Sequence, residues 1–141
     1  MGSSPGRVVL CTDGGSRGNP GPAGFGVVLT DESGRVFAET GEFIGRATNN
    51  EAEYAGLVKG LEMAREAGAS EVVVRSDSQL LVRQLNGEYK VKSRGLMPFF
   101  LRAKALLESL ASWRAEYVPR EQNVHADRLA NRAMDRAAKK A

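Results

Sequence analysis

The sequence predicts an α/β domain built on a five-stranded mixed sheet flanked by helices. Three observations carry this reading. Extended runs of period two and runs of helical spacing follow one another in the order βββ-α-β-α-α-β-α. The first three strands are joined by Gly- and Pro-rich turns or a short hairpin, which predicts an antiparallel meander. The later strands are joined through helices, which predicts parallel pairing and right-handed crossovers, so strands 1, 4 and 5 lie parallel.

Arg7 to Thr12 is the first strand. Val8 and Leu10 face one side and Val9 and Cys11 the other, so both faces are covered and the strand is central. Gly14, Gly15, Gly18 and Pro20 then signal a turn, leaving Asp13 at the strand tip. Gly24 to Thr30 is the second strand, and Asp31-Glu32-Ser33-Gly34 is a hairpin turn. The third strand covers Arg35 to Thr40 and Glu42 to Ile44, with a bulge expected at Gly41.

Thr48-Asn49-Asn50 is a helix start signal, because these side chains accept from first-turn amides. The helix runs from Asn50 to Ala67 and stops at Gly68, with Tyr54, Leu57, Val58 and Leu61 as its buried stripe. Glu71 to Ser76 is a short buried strand, and Asp77-Ser78 caps a short helix from Gln79 to Leu85. After Asn86-Gly87 and the polar stretch Glu88 to Arg94, a third helix covers Leu96 to Ser109. Trp113 to Val118 is the last strand. A loop at Arg120 to Asn123 leads into a final helix, Val124 to Ala138, with Leu129, Ala130, Ala133 and Met134 facing inward.

At 141 residues the chain suits one domain with its own core. Residues 1–6 read as a flexible tail, 7–138 as the domain and 139–141 as a frayed end. The net charge of +3 is compatible with a polyanionic partner. One Cys and one His exclude an internal disulfide and a structural zinc site, and a reduced, cytoplasmic setting is expected. No apolar run is long enough to span a bilayer, so no membrane partner is expected.

Four acids can meet at one end of this sheet. Asp13 ends strand one and Asp77 follows strand four, its expected parallel neighbour; Glu53 and Asp127 each lie in the first turn of a helix that starts near that edge. Each has an ordinary explanation alone: a turn residue before Gly14, a helix-dipole acid, an N-cap before Ser78, and an acid at a helix start. Their joint placement points elsewhere. Clustered carboxylates repel one another and suit hard cations such as Mg²⁺ or Mn²⁺, two of which can share such ligands.

The motifs Thr12-Asp13-Gly14-Gly15-Ser16 with Gly18-Asn19-Pro20-Gly21, Thr48-Asn49-Asn50-Glu51-Ala52-Glu53, Ser76-Asp77-Ser78-Gln79 and Ala126-Asp127-Arg128-Leu129-Ala130 occur in that order. Together they closely resemble type 1 ribonuclease H over about Arg7 to Ala137. The resemblance implies the ribonuclease H-like fold and hydrolysis of the RNA strand of RNA/DNA hybrids with two Mg²⁺ or Mn²⁺ ions. It implies that Asp13, Glu53, Asp77 and Asp127 are the metal-binding catalytic carboxylates. An activated water would attack in line, leaving 5′-phosphate and 3′-hydroxyl ends.

Telling RNA from DNA requires reading the 2′-hydroxyl in the minor groove with neutral donors and acceptors. Gly14, Gly15, Ser16, Asn19, Asn49, Asn50 and Gln79 fit that task and largely match family positions. Arg46 and Thr48 match a pocket for a DNA-strand phosphate, whose third member, usually Asn, aligns with Ser93. Two other departures stand out. The mobile His of many members has no counterpart; His125 reads as a surface residue, and Arg120 or Glu121 is the expected substitute in product or metal release. The basic, Trp-bearing protrusion of some members is absent, leaving Lys90, Lys92, Arg94, Arg102 and Lys104 as a modest strip for phosphates. The expected enzyme is a monomer. A related nuclease that also cuts double-stranded RNA, or a silent nucleic-acid-binding domain, are the alternatives.

Overall fold

The computed structural model describes residues 5–140. The chain forms β1 (Arg7–Ser16), β2 (Gly21–Thr30), β3 (Val36–Ala47), α1 (Asn49–Glu66), β4 (Glu71–Ser76), α2 (Gln79–Leu85), α3 (Met97–Glu108), β5 (Ser112–Tyr117) and α4 (Val124–Lys140), with one 3₁₀ turn at Arg120–Gln122. The strands lie in the order β3-β2-β1-β4-β5. β2 is antiparallel to β1 and β3, and β4 is parallel to β1 and β5, as the connections require. Among the described residues no helix is long and apolar enough to cross a membrane.

β1 is central because both its faces are covered. Val8 and Leu10 enter the main core with Val72, Val74, Leu57 and Leu61, under α1 and α3. α4 covers part of the other face through Ala126, Ala130, Ala133 and Met134. α1 starts where the sequence says: the Thr48 hydroxyl accepts from Glu51 N at 3.1 Å, and Glu51 Oε1 accepts from Thr48 N at 2.8 Å. This reciprocal box satisfies two end groups of the helix. On its buried stripe, Val58 is only half-buried.

Glycines let the backbones of helix and sheet approach. A Cβ at Gly26 would stand 2.0 Å from Ala126 O, and one at Gly41 would stand 2.5 Å from Leu129 O. α4 therefore rests directly on the backbone of β2 and β3. On the opposite face, a Cβ at Gly14 would lie 2.6 Å from the Ala52 carbonyl, so α1 also sits against β1 at its first turns.

Several expectations need correction. β1 does not end at Thr12. It continues through Asp13, Gly14 and Gly15 to Ser16, because β2 keeps pairing with it as far as Ser16↔Ala23. Gly41 is not bulged: it pairs in register with Gly26, and the irregularities fall where the β2–β3 register skips Phe37 and Ile44. Lys139 and Lys140, expected in the frayed end, fall within α4, as suits cations beside the helix C-terminus. Met1 to Ser4 and Ala141 lie outside the described residues. Gly6, expected in the tail, is held: its carbonyl accepts from Ser70 N at 3.1 Å and Glu71 N at 3.0 Å.

Gly26→Ala should destabilise the domain by about 1–3 kcal/mol through overpacking against α4. A urea unfolding midpoint equal to that of the parent would overturn this account of how α4 is seated.

Candidate active site

Asp13 and Asp77 meet through register. The parallel ladder pairs Cys11 with Arg75, which sets Asp13 level with Asp77 just beyond the last rung. Glu53 enters from α1 because Gly14 admits that helix, and Asp127 enters from the first turn of α4, one residue after the Ala126 carbonyl that rests over Gly26. All four carboxylates line one cleft of about 560 Å³ at the carboxyl ends of β1 and β4.

The cleft is electrostatically loaded. Burial, helped by the Asp127 carboxyl within hydrogen-bonding reach and by the charges of Asp77 and Glu53, pushes Asp13 up to about 8. Burial and the Asp77 charge push Glu53 up to about 7, although the Ser78 hydroxyl pulls the other way. Glu53 Oε2 is buried without a hydrogen-bond partner. Among the described residues no three acids are already drawn into a cation cage. Even so, the donors are all carboxylate oxygens, and the orphaned oxygen and mutual repulsion are what a divalent cation would relieve.

The residues expected to read RNA divide into groups. Gly14, Gly15, Ser16 and Asn49 line the cleft. Asn49 Oδ1 accepts from Ser16 N at 2.8 Å and from Ser16 Oγ at 3.1 Å, while Asn19 Oδ1 accepts from Asn49 N at 3.1 Å. The β1–β2 turn is thereby tied to the start of α1, and the Asn49 amide keeps its two N–H donors for other partners. The missing Cβ of Gly14 serves helix packing, whereas Gly15 is open enough for a ligand backbone. Asn50 is exposed outside the cleft lining. Gln79 lies in an adjoining depression of about 300 Å³, which shares Tyr117 with the cleft.

Arg46 is exposed near the end of β3, and Thr48 caps α1. A Cβ at Gly95 would come within 3.0 Å of Glu51 Oε2, so the loop carrying Ser93 reaches the turn that Thr48 caps. Arg120 lines the cleft, while Glu121 is exposed on the 3₁₀ turn outside the lining. His125 is exposed and meets Glu39 at 3.1 Å. The basic strip is smaller than expected. Lys104 lies 4.8 Å from the Trp113 ring centre and donates to Leu85 O at 3.4 Å, and Arg102 pairs with Glu62 at 3.4 Å.

Sequence reasoning missed two amides. Asn123, only 2% exposed, donates from Nδ2 to Thr12 O at 2.9 Å and to Asp77 Oδ1 at 3.3 Å. It reads in sequence as an ordinary residue before a helix, and nothing local announces its reach across to β1. Asn131 donates to Asp127 Oδ1 at 3.3 Å; its i+4 spacing was the available signal. Asn123→Ala would leave the buried Thr12 carbonyl unpaired and release Asp77. It should cost about 1–3 kcal/mol and lower activity more than stability alone explains, read as turnover well below the unfolding temperature. Wild-type turnover would remove Asn123 from the site.

A family model described as reverse transcriptase-like matches residues 11–133. A bifunctional protein of Mycobacterium tuberculosis is 52% identical over 136 residues; the match covers 96% of this chain but 37% of that protein. The solved N-terminal RNase H domain from that organism, fused to maltose binding protein, superposes with a TM-score of 0.92 at 50% identity, covering 95% of this chain and 97% of that one. Ribonuclease HI of Halobacterium salinarum is 46% identical, covering 94% of this chain and 66% of that protein. LC11-RNase H1, solved in complex with RNA/DNA hybrid, superposes with a TM-score of 0.88 at 43% identity, covering 93% of this chain and 99% of that one. With its five-stranded sheet and the four motifs in order, the chain belongs to the ribonuclease H family.

Proposed function

We propose that this chain is an endoribonuclease that hydrolyses the RNA strand of RNA/DNA hybrids, leaving 5′-phosphate and 3′-hydroxyl ends. One observation carries the reading: carboxylates from β1, α1, α4 and the turn after β4 converge on one cleft, in a domain similar to one solved with a hybrid. Asp13, Glu53, Asp77 and Asp127 would hold two Mg²⁺ or Mn²⁺ ions. When bound, such ions activate water and stabilise the leaving oxygen.

The protein's own part is positioning. Asn123 orients Asp77 and Asn131 orients Asp127, so two of the acids meet their task with restricted rotamers. The free amide of Asn49, with Ser16, Asn19, Asn50 and Gln79 around it, offers neutral groups for a ribose 2′-hydroxyl, which a DNA strand lacks. Arg46, Thr48 and Ser93 would hold a phosphate of the DNA strand, the guanidinium supplying paired donors. Arg120, which lines the cleft, would assist departure of the product. Water supplies the oxygen gained by the phosphate, and the ribose O3′ leaves.

Turnover of an end-labelled hybrid with Mg²⁺ tests this directly. Asp77→Asn should lower cleavage roughly 10²-fold or more, with single-stranded RNA and the DNA strand left intact. Cleavage by the parent no greater than by Asp77→Asn would overturn the enzyme reading. A duplex-RNA arm measures the breadth of the substrate.

The acids also predict a pH dependence. Asp13 and Glu53 titrate at about 8 and about 7 in the folded chain, above the ordinary carboxylate range of the unfolded one. Between those limits the folded state binds more protons, so its stability falls as pH rises through that window. With divalent ions chelated, the thermal midpoint should be lower at pH 9 than at pH 5. Added Mn²⁺ should restore it at pH 9, and Asp13→Asn should flatten the profile. A chelated profile that does not distinguish the parent from Asp13→Asn would refute this account of the cluster.

A further inference from the structure

The outer face of α4 carries a row of cations that the cleft does not use. At 3.6 residues per turn, Arg128, Arg132, Arg136 and Lys139 fall within about 80° of one another and extend over roughly 16 Å. They lie roughly opposite the buried Ala126, Ala130, Ala133 and Met134 and are all exposed. The cleft side of the helix is a different one, formed by Asp127, Ala130, Asn131 and Met134.

Among the described residues, none of these four cations lies within 4.0 Å of a carboxylate. The acids that could serve them are engaged elsewhere: Asp135 holds Arg17 at 2.6 Å, and Glu39 holds His125 at 3.1 Å. Arg128, Arg132 and Arg136 repeat at i, i+4 and i+8, the spacing at which like charges repel on a helix. Arg128 also sits near the positive end of the helix dipole. Helix stability accounts for Lys139 beside the C-terminus but not for the i, i+4, i+8 run of arginines, whose repulsion an external polyanion would relieve.

We propose that the outer face of α4 is a second nucleic-acid surface, which docks the phosphate backbone of a duplex outside the catalytic cleft. One feature favours phosphate over an acidic peptide. The arginines are evenly stepped, with about 6 Å of rise between successive ones, and so can follow the closely spaced charges of a duplex backbone. Such a surface would hold the domain on a duplex between encounters of the cleft with a hybrid. It does not depend on the chain cleaving hybrids.

The test compares the parent chain with the triple variant Arg128→Gln, Arg132→Gln, Arg136→Gln. Binding of a labelled DNA duplex is read by fluorescence anisotropy across a salt series without divalent ions. The variant should bind at least tenfold more weakly at low salt, and its plot of log affinity against log salt should be shallower by about 2 to 3. Turnover of a hybrid too short to reach α4's outer face should stay within twofold of the parent. A thermal midpoint no lower than the parent's shows that the fold is kept, and Arg132→Glu alone should weaken duplex binding more than Arg132→Gln. An unchanged salt slope would overturn the proposal. So would a loss of polyglutamate binding as large as the loss of duplex binding, which would assign the face to an acidic protein.

Discussion

The site depends on how closely two helices lie on the sheet. Carboxylate side chains are short, so four of them can share one cleft only if their backbones are already close. Where Gly26 and Gly41 present bare backbone, α4 settles onto β2 and β3, with Ala126 O and Leu129 O in the space a Cβ would fill. Gly14 does the same for α1 on the other face. Asp127 lies between the two α4 contacts in sequence, and Glu53 directly follows the Ala52 carbonyl that Gly14 meets. An ordinary side chain at any of these glycines would lift a helix by a large part of a carboxylate's reach. Interiors are close-packed, so such a shift would travel along the helix rather than be absorbed locally.

That proximity has an electrostatic cost. Burial and like charge hold Asp13 and Glu53 partly protonated near neutral pH. Strained or destabilised groups persist where the surrounding structure over-determines them. Here the surroundings include a capping box at the start of α1 and the core beneath it, where Tyr54 donates to Gln84 at 2.7 Å and so ties α1 to α2. The cluster is thus imposed by packing chosen for other residues, and its repulsion is available for a cation to relieve.

The topology was legible in the sequence because its signals are local: period two at Val8 to Cys11, the helix start at Thr48-Asn49-Asn50, and helices between the later strands. The four acids were found because each stands next to such a signal. The extent of β1 departs from its local sequence pattern for a physical reason. Gly14 and Gly15 look like a turn when only propensity is weighed, but β2 pairs through them, and the missing side chain at Gly14 is what α1 requires. Gly41 likewise reads as a bulge until the helix above it is known. Asn123 could not be found at all by local reading, because its partners, Thr12 and Asp77, are distant in sequence and meet only in the folded sheet.

The chemistry of these supporting residues is itself selective. Asp77 and Asp127 are each oriented by a neutral amide, Asn123 and Asn131, and not by an arginine or lysine. A cation at either place would orient a carboxylate as well and lower its affinity for protons. It would also cancel charge that the proposed divalent ions need and would leave a salt bridge in their place. The cationic side chains that do line the cleft, Arg17 and Arg120, come from outside the acids' own elements, and Arg17 is already committed to Asp135. Amides give direction without charge. With amides at both supports the cleft keeps its negative charge, which is the condition the proposed metal site requires.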